Sequence, residues 1–247
     1  MPTDNTSLLA HVPCSASIER QLPDNFYYQQ PWLDLLADVY GYTIIPLTIT
    51  DQNGQVSGFL PLCSIHSPIT GRRLVSLPFS DYCPMLAADE ASANALADQA
   101  VELARQQKAK YLELRTGGCK ALSARADLVE EALYVRWLIS LAADPDAIWS
   151  GLRKPIQRQV KKSQKLGVQV RVARDRQDVA HYYRMHLLTR SKKHGMPAQP
   201  QRYFYRLWDA FASSGSMQLL LAEYEGAVIA GMVLLASGST IRYAYGA

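Results

Sequence analysis

A short pattern occurs twice in this chain, and it constrains the fold more than any other feature. Asn53-Gly54-Gln55-Val56 leads into Phe59-Leu60-Pro61-Leu62, and Glu225-Gly226-Ala227-Val228 leads into Met232-Val233-Leu234-Leu235. Apolar-rich stretches on both sides of a glycine turn are the local signal of a β-hairpin. Each copy follows a helical stretch and precedes a further strand pattern, Arg73 to Leu77 in one case and Ile241 to Tyr245 in the other. The chain therefore reads as a duplicated α/β unit. The first copy continues into a helix and two more strands, whereas the second stops at Ala247 in mid-strand. By comparison with the first copy, about sixty to ninety residues are expected to be missing from the second.

The 247 residues suffice for two modest domains, each with its own core, and 48% hydrophobic against 19% charged residues is a globular balance. The formal charge of +4 favours an anionic partner without specifying nucleic acid. Met1-Pro2-Thr3-Asp4-Asn5 has neither the basic start nor the apolar stretch of a signal peptide. The longest apolar run, Ala227 to Ala236, is about half of a bilayer span. The expectation is a soluble, cytoplasmic protein without a transmembrane segment. Cys14, Cys63, Cys83 and Cys119 form no C-x-x-C pattern, so no metal site is expected and the thiols read as small buried groups.

Local signals divide the chain into a loose arm over residues 1–22, a first domain over 23–143 and a second over 144–247. In the first, Trp32, Leu35, Leu36 and Val39 lie at helical spacing before Gly41. Strands are expected near Ile44 to Thr50 and Val56 to Ile65. Ser92 is placed to cap a helix running to about Lys108, and Tyr111 to Thr116 and Tyr134 to Leu141 read as strands. Asp144-Pro145 is a helix start at the domain boundary. A helix after Pro155 reaches Leu166, followed by a strand over Val168 to Val172 and helices over Asp178 to His194 and Pro200 to Ala212. In the last helix Phe204, Leu207, Trp208 and Phe211 define the buried face.

Arg158, Lys161, Lys162 and Lys165 fall at i, i+3, i+4 and i+7, one face of the helix after Pro155, with Arg153 and Lys154 at its entrance. Like charges at that spacing repel by a few tenths of a kcal/mol per pair unless an anion sits opposite. A phosphate-bearing ligand would supply that anion. The alternative is a solvated outer face, with Ile156 and Val160 turned inward. His194, with Arg190, Lys192 and Lys193, reads as the basic end of a helix. His181 and His186 are five apart, do not share a face and lack a glutamate between them, which argues against a metal. No G-x-S-x-G, G-x-x-x-x-G-K-[ST] or G-x-G-x-x-G motif is present, which sets aside hydrolases with that elbow, P-loop nucleotidases and Rossmann dehydrogenases. Tyr203 opens a helix, and Tyr243 and Tyr245 alternate along a strand, so the latter two are expected on one sheet face. Tyrosines suit a ligand cleft with a wet end and equally suit a core with one satisfied hydroxyl. Asp81 and Tyr82, just past a strand end, fit a ligand contact or a turn cap.

The stretch from Trp149 to Ala247 resembles the acetyltransferase-type (GNAT) fold as found in the Fem family of peptidoglycan interpeptide-bridge aminoacyltransferases. The resemblance rests on Leu152-Arg153-Lys154 to Lys165-Leu166-Gly167-Val168, His194-Gly195 to Pro200, Tyr203-Phe204, Ala222-Glu223-Tyr224-Glu225-Gly226 and Tyr243-Ala244-Tyr245. Fem-related proteins of exopolysaccharide and exosortase loci look closer still. The first half is similar more weakly, through Phe26 to Tyr42 and Pro78 to Leu86.

The resemblance implies tandem GNAT-like domains with mixed sheets flanked by helices, the second incomplete, around a cleft where an amine attacks an activated acyl group. It implies an acyl- or aminoacyltransferase acting on an amine of a cell-envelope or exopolysaccharide precursor. Tyr203 and Tyr245 match acceptor-binding tyrosines of the family. Gln199 stands where bridge-forming members carry an arginine for a diphosphate, and no lysine follows Trp32 where they supply a second cation, so the standard nucleotide-linked acceptor is not carried over. Arg158, Lys161 and Lys162 are the expected phosphate-facing charges. No cofactor is expected to be permanently bound; the acyl donor is acyl-CoA or aminoacyl-tRNA, with the choice open. The expected partners are an anionic small-molecule or lipid-linked precursor and, as an option, tRNA. No residue qualifies as a general base from the sequence. The competing expectation is a non-catalytic assembly factor for polysaccharide biosynthesis or an RNA-binding remnant.

Overall fold

The computed structural model describes residues 14–21, 25–117, 119–131, 134–193 and 195–247. They form two compact units, one within 1–132 together with 209–216 and 236–241, the other composed of the remaining stretches.

The first unit opens with helix α1 (Ala16–Gln21), a single 3-10 turn (Phe26–Tyr28) and α2 (Gln30–Tyr40). Strands β1 (Thr43–Thr50), β2 (Val56–Ser67) and β3 (Gly71–Val75) follow, then β4 (Leu86–Ala87), α3 (Glu90–Gln106), β5 (Leu112–Glu113) and α4 (Lys120–Ser123). The sheet order is β1-β2-β3-β5, with β4 also paired to β2. The expected helix over Pro31 to Tyr40 is present, and Gly41 ends it in the left-handed conformation at φ 68°. Leu60, Leu62 and Leu74 of the sheet pack against Leu96, Ala97 and Ala100 of α3.

The second unit contains α5 (Pro145–Gly151), α6 (Lys154–Lys165), β6 (Gln169–Val172), α7 (Arg176–Leu188) and a π-helical turn (Thr189–Lys193). Then come α8 (Gln201–Phe211), β7 (Met217–Tyr224), β8 (Ala227–Ser237) and β9 (Thr240–Gly246), of which 209–211, 236–237 and 240–241 count with the first unit. Its sheet runs β6-β7-β8-β9.

The repeated pattern is a repeated structure. β1 and β2 pair antiparallel, as do β7 and β8, and each pair passes to a third strand. Gly231 and Ala247 exchange both backbone hydrogen bonds at 2.9 Å, which makes β8 and β9 antiparallel as well. Each hairpin also carries one extra residue on its returning strand close to the turn. Thr50 faces Val56 and Ile49 faces Gly58, leaving Ser57 over; Glu223 faces Val228 and Ala222 faces Ala230, leaving Ile229 over. The turns differ. Asp51 Oδ1 accepts from the backbone N–H groups of Asn53 and Gln55 in the first, whereas Glu225 and Gly226 close the second with φ of 49° and 76°.

Several expectations need correction. Cys14 bridges to Val56 and Ala16–Gln21 is a helix with Ile18 fully buried, so this part of the expected loose arm is docked; residues 1–13 and 22 lie outside the described ones. Tyr134 to Leu141 is not a strand. None of its residues joins a β-ladder among the described residues, and Tyr134, Trp137 and Ile139 are exposed. An alternating apolar pattern becomes a strand only where a ladder partner is available. Of Tyr111 to Thr116 only Leu112–Glu113 is paired, in parallel with β3. Asp89 rather than Ser92 caps α3, accepting from the Ser92 backbone N–H at 2.7 Å, while the Ser92 hydroxyl turns to Ser57. Asp175 caps α7 in place of the expected start at Asp178, and regular α-helix stops at Leu188; His194 lies outside the described residues. On α6, Val160 is half-buried but Ile156 is exposed, so the inward face is shallower than expected.

The freed Asp178 carboxylate takes Arg171 through two bonds of 2.7 Å, and Arg171 also donates to Glu223 at 2.8 Å. This set ties α7 to β6 and β7. On the inward sheet face Leu219, Leu221, Val233 and Leu235 are buried with Val179, Tyr182, Phe204 and Leu207 of the two helices. On the opposite face Val170 and Val172 are 67% and 54% exposed. The helix layer lies close on the sheet because β8 has no side chain at Gly231. A Cβ there would sit 2.6 Å from Tyr182 Cδ2 and 3.2 Å from Leu221 Cδ2.

Two outcomes follow for stability. Gly231→Ala should destabilise the fold by about 1–3 kcal/mol through this overlap, read as a lower urea midpoint; an unchanged midpoint would contradict the close packing. Arg171 holds the Asp178 carboxyl below its usual range, against the opposing effect of burial and with help from the Arg174 N–H. That contribution is complete above the unfolded carboxylate value of about 3.9 and is lost as pH falls through the lower folded value. Asp178→Asn should therefore be less stable than wild type near neutral pH, with the gap closing in acid. A gap that stays constant with pH would contradict it.

Candidate functional site

Gln199 stands just before α8, and Tyr203 lies in the first turn of that helix. The apolar face of α8 is the one expected: Phe204, Leu207 and Phe211 are fully buried, and Trp208 is half-buried. That packing turns Tyr203 inward beside Phe204. Its hydroxyl meets that of Tyr245 on β9 at 2.7 Å, with the rings edge to face at 82°. Phe204 stands edge-on to Tyr203, Tyr245 and His186, with centroids 5.2, 5.4 and 4.8 Å away.

His186, on the last turn of α7, completes the group. It is 2% exposed, stacked on Tyr182 at 5.8 Å and edge-on to Tyr245 at 6.1 Å. Its Nε2 lies 2.9 Å from Gln199 Oε1. A carboxamide oxygen only accepts, so Nε2 carries the hydrogen and Nδ1 keeps its lone pair. Burial pushes the imidazole below its ordinary value; the Gln199 bond opposes this and the Arg190 charge adds to it. The ring is neutral at neutral pH. Burial raises the Tyr182 phenol, and the neighbouring Tyr245 and Tyr243 push it the same way. The imidazole, phenols and carboxamide are thus an uncharged set of hydrogen-bonding groups inside an aromatic wall, with Arg190 as the charged neighbour.

Three polar atoms here have no hydrogen-bond partner among the described residues: His186 Nδ1, the Tyr182 hydroxyl and Arg190 Nε. They come from residues 182, 186 and 190, spaced four apart on one side of α7 and the π turn. A π turn holds one extra residue and recurs at functional sites.

The structure brings Tyr203, Tyr245 and Gln199 together through Phe204 and His186. It leaves Arg158, Lys161 and Lys162 apart from them, exposed on α6. Lys161 Nζ lies 5.8 Å above the Trp149 ring, so one of the three is partly engaged by a cation–π contact. Arg158 and Lys162 have no carboxylate partner among the described residues. Tyr243 is exposed, with its hydroxyl over the backbone of Gly246. Asp81 and Tyr82 lie in the loop after β3, where Arg115 Nη1 donates to the Ser80 carbonyl at 2.6 Å. His186 is the residue that sequence reasoning missed. Its spacing to His181 points away from a metal pair, while the usable signal is the i, i+4 relation to Tyr182.

Residues 150–247 match the family model described as an acetyltransferase (GNAT) domain. No curated protein matches the chain by sequence. Among solved structures, FemX superposes with a TM-score of 0.65 at 15% identity, covering 94% of this chain and 77% of that one. A C-terminal domain (DUF2156) from Agrobacterium fabrum, assigned as a lysylphosphatidylglycerol synthetase, gives 0.44 at 12% identity over 92% of this chain and 68% of its own. A ribosomal-protein-alanine N-acetyltransferase from Brucella melitensis biovar Abortus 2308 gives 0.30 at 17% identity, over 51% and 86%. Tyr203, Tyr245, Gln199 and His186 all fall inside the stretch that matches the acetyltransferase (GNAT) domain model, and the chain shares the fold of FemX.

Proposed function

We propose that this protein transfers an acyl or aminoacyl group to an amine of a cell-envelope or exopolysaccharide precursor. The observation that carries the reading is the hydrogen-bonded pair Tyr203 and Tyr245 within the GNAT domain, set beside Gln199 and a neutral imidazole. Amide formation needs an uncharged amine held against an activated carbonyl. An aromatic wall with neutral donors and acceptors favours that form, because a charged ammonium loses its hydration there. In this reading Tyr203, Tyr245 and Gln199 hold the acceptor. Arg158, Lys161 and Lys162 meet phosphates of the donor or of the acceptor. The donor is acyl-CoA or aminoacyl-tRNA, both phosphate-bearing, and it is used as a co-substrate rather than a resident cofactor. The acceptor is an anionic small-molecule or lipid-linked precursor. No helix among the described residues is long and apolar enough to cross a membrane.

A second reading has its own observation, the α6 cations that lack carboxylate partners. Such a face suits a non-catalytic RNA-binding or assembly role.

Purified protein supplied with labelled acyl-CoA or aminoacyl-tRNA and an amine-bearing envelope precursor should place label on the amine. Tyr245→Phe should lower kcat/KM by about 10-fold, the equivalent of one lost hydrogen bond to bound acceptor, without loss of folded signal. Absence of transfer from either donor, combined with salt-steep RNA binding, would reject the enzyme in favour of the binding module.

A further inference from the structure

We propose that His186 is the catalytic proton acceptor of this domain, taking on Nδ1 the proton that the attacking amine sheds. The inference rests on the acyl-transfer reading and adds a role to a residue that the reading does not use.

The argument is geometric. Nε2–H is committed to Gln199 Oε1 at 2.9 Å, so the basic lone pair can only be on Nδ1. That nitrogen is buried and has no partner among the described residues. A buried lone pair without a donor costs about 1–3 kcal/mol, so its presence calls for an explanation. The Tyr182 hydroxyl and Arg190 Nε, from the same side of α7 and its π turn, are unsatisfied too. An incoming group that donates to Nδ1 and interacts with the phenol would satisfy two of the three, and a primary amine is such a group. The ring also lies edge-on to Tyr245, whose hydroxyl meets that of Tyr203, which places the imidazole beside the residues assigned to the acceptor.

Burial and the Arg190 charge keep the imidazole neutral against the opposing Gln199 bond. Arg190 is the charged neighbour on its own segment, Tyr182 and Tyr183 stack on it at 5.8 and 6.5 Å, and Phe204 from α8 and Tyr245 from β9 close it with ring edges. Gln199, from the stretch before α8, contributes a neutral amide. A base must be unprotonated when the amine arrives, and this surrounding secures that below the ordinary histidine value.

The step balances as follows. The amine nitrogen attacks the acyl carbon and the new N–C bond forms, while the bond from that carbon to the ester oxygen or thioester sulfur of the donor breaks. The N–H proton passes to His186 Nδ1. From the imidazolium it moves to the departing alkoxide or thiolate, leaving an alcohol or thiol and a neutral imidazole. No oxidant or further reactant is required.

The test uses the whole protein labelled with ¹⁵N-histidine. At neutral pH the His186 Nδ1 signal should be that of an unprotonated nitrogen and the Nε2 signal that of an N–H. Added n-butylamine, bound as the uncharged amine and donating an N–H, should move Nδ1 upfield. His186→Gln, whose amide keeps a donor for Gln199, should lower kcat by about 10²- to 10⁴-fold, hold KM within about 3-fold and remove the acid limb of the kcat/KM profile. An Nδ1–H tautomer, no response of Nδ1 to the amine, or a folded His186→Gln that keeps wild-type kcat and its acid limb would overturn the proposal. If the wild type transfers nothing, the transfer reading falls with it. The nuclear magnetic resonance arms then still decide whether His186 receives an amine, and they also serve if His186→Gln fails to fold.

Discussion

The close approach of Tyr182 to Gly231 sets the geometry on which the rest of the second unit depends. A side chain at that point of β8 would meet the tyrosine ring at 2.6 Å and lift α7 from the sheet. With glycine there, α7 lies flat enough for His186, one turn after Tyr182, to reach the segment before α8 and the edge of Tyr245. The Arg171–Asp178–Glu223 set fixes the first turn of the same helix against β6 and β7. Held there and at Tyr182, the helix keeps its buried imidazole in one orientation, with Nε2 toward Gln199.

The two electrostatic features of the unit differ in kind. The aromatic group holds its polar atoms in neutral form, where each hydrogen bond is strengthened by the dry surroundings and each missing one is costly. The α6 stripe is open to water, where charges are screened within about 8–10 Å at physiological salt. The first can discriminate the protonation state and the shape of a bound group. The second can only attract negative charge, so in the proposed transfer specificity falls to the tyrosine and histidine group.

Much of the scaffold was legible in the sequence because its signals are local. The Gly54 and Gly226 turns marked both hairpins, and the spacing of Phe204, Leu207 and Phe211 fixed the face of α8 that carries Tyr203 inward. Where several residues compete for one local job, the sequence misled. Asp89 and Ser92 could both cap α3, and Asp175 and Asp178 could both open α7; the residue passed over for the cap found a distant partner in Ser57 or Arg171. Tyr134 to Leu141 has strand-like alternation, but a strand needs a ladder that alternation alone does not supply. Tyr203 and Tyr245 were nominated by resemblance. Their contact, 42 residues apart in sequence, could not be read from spacing, and the same holds for His186 with Gln199, where the breakers Gly195 and Pro197 intervene.

The central claim is that the acceptor of an acyl transfer sits against Tyr203, Tyr245 and His186. The most direct measurement is a titration of the protein with an amine-bearing envelope precursor, following the assigned aromatic ring signals. The account predicts saturable shifts confined to Tyr203, Tyr245, Phe204 and His186. Saturable shifts on α6 or Trp149 with those four rings unmoved would contradict it.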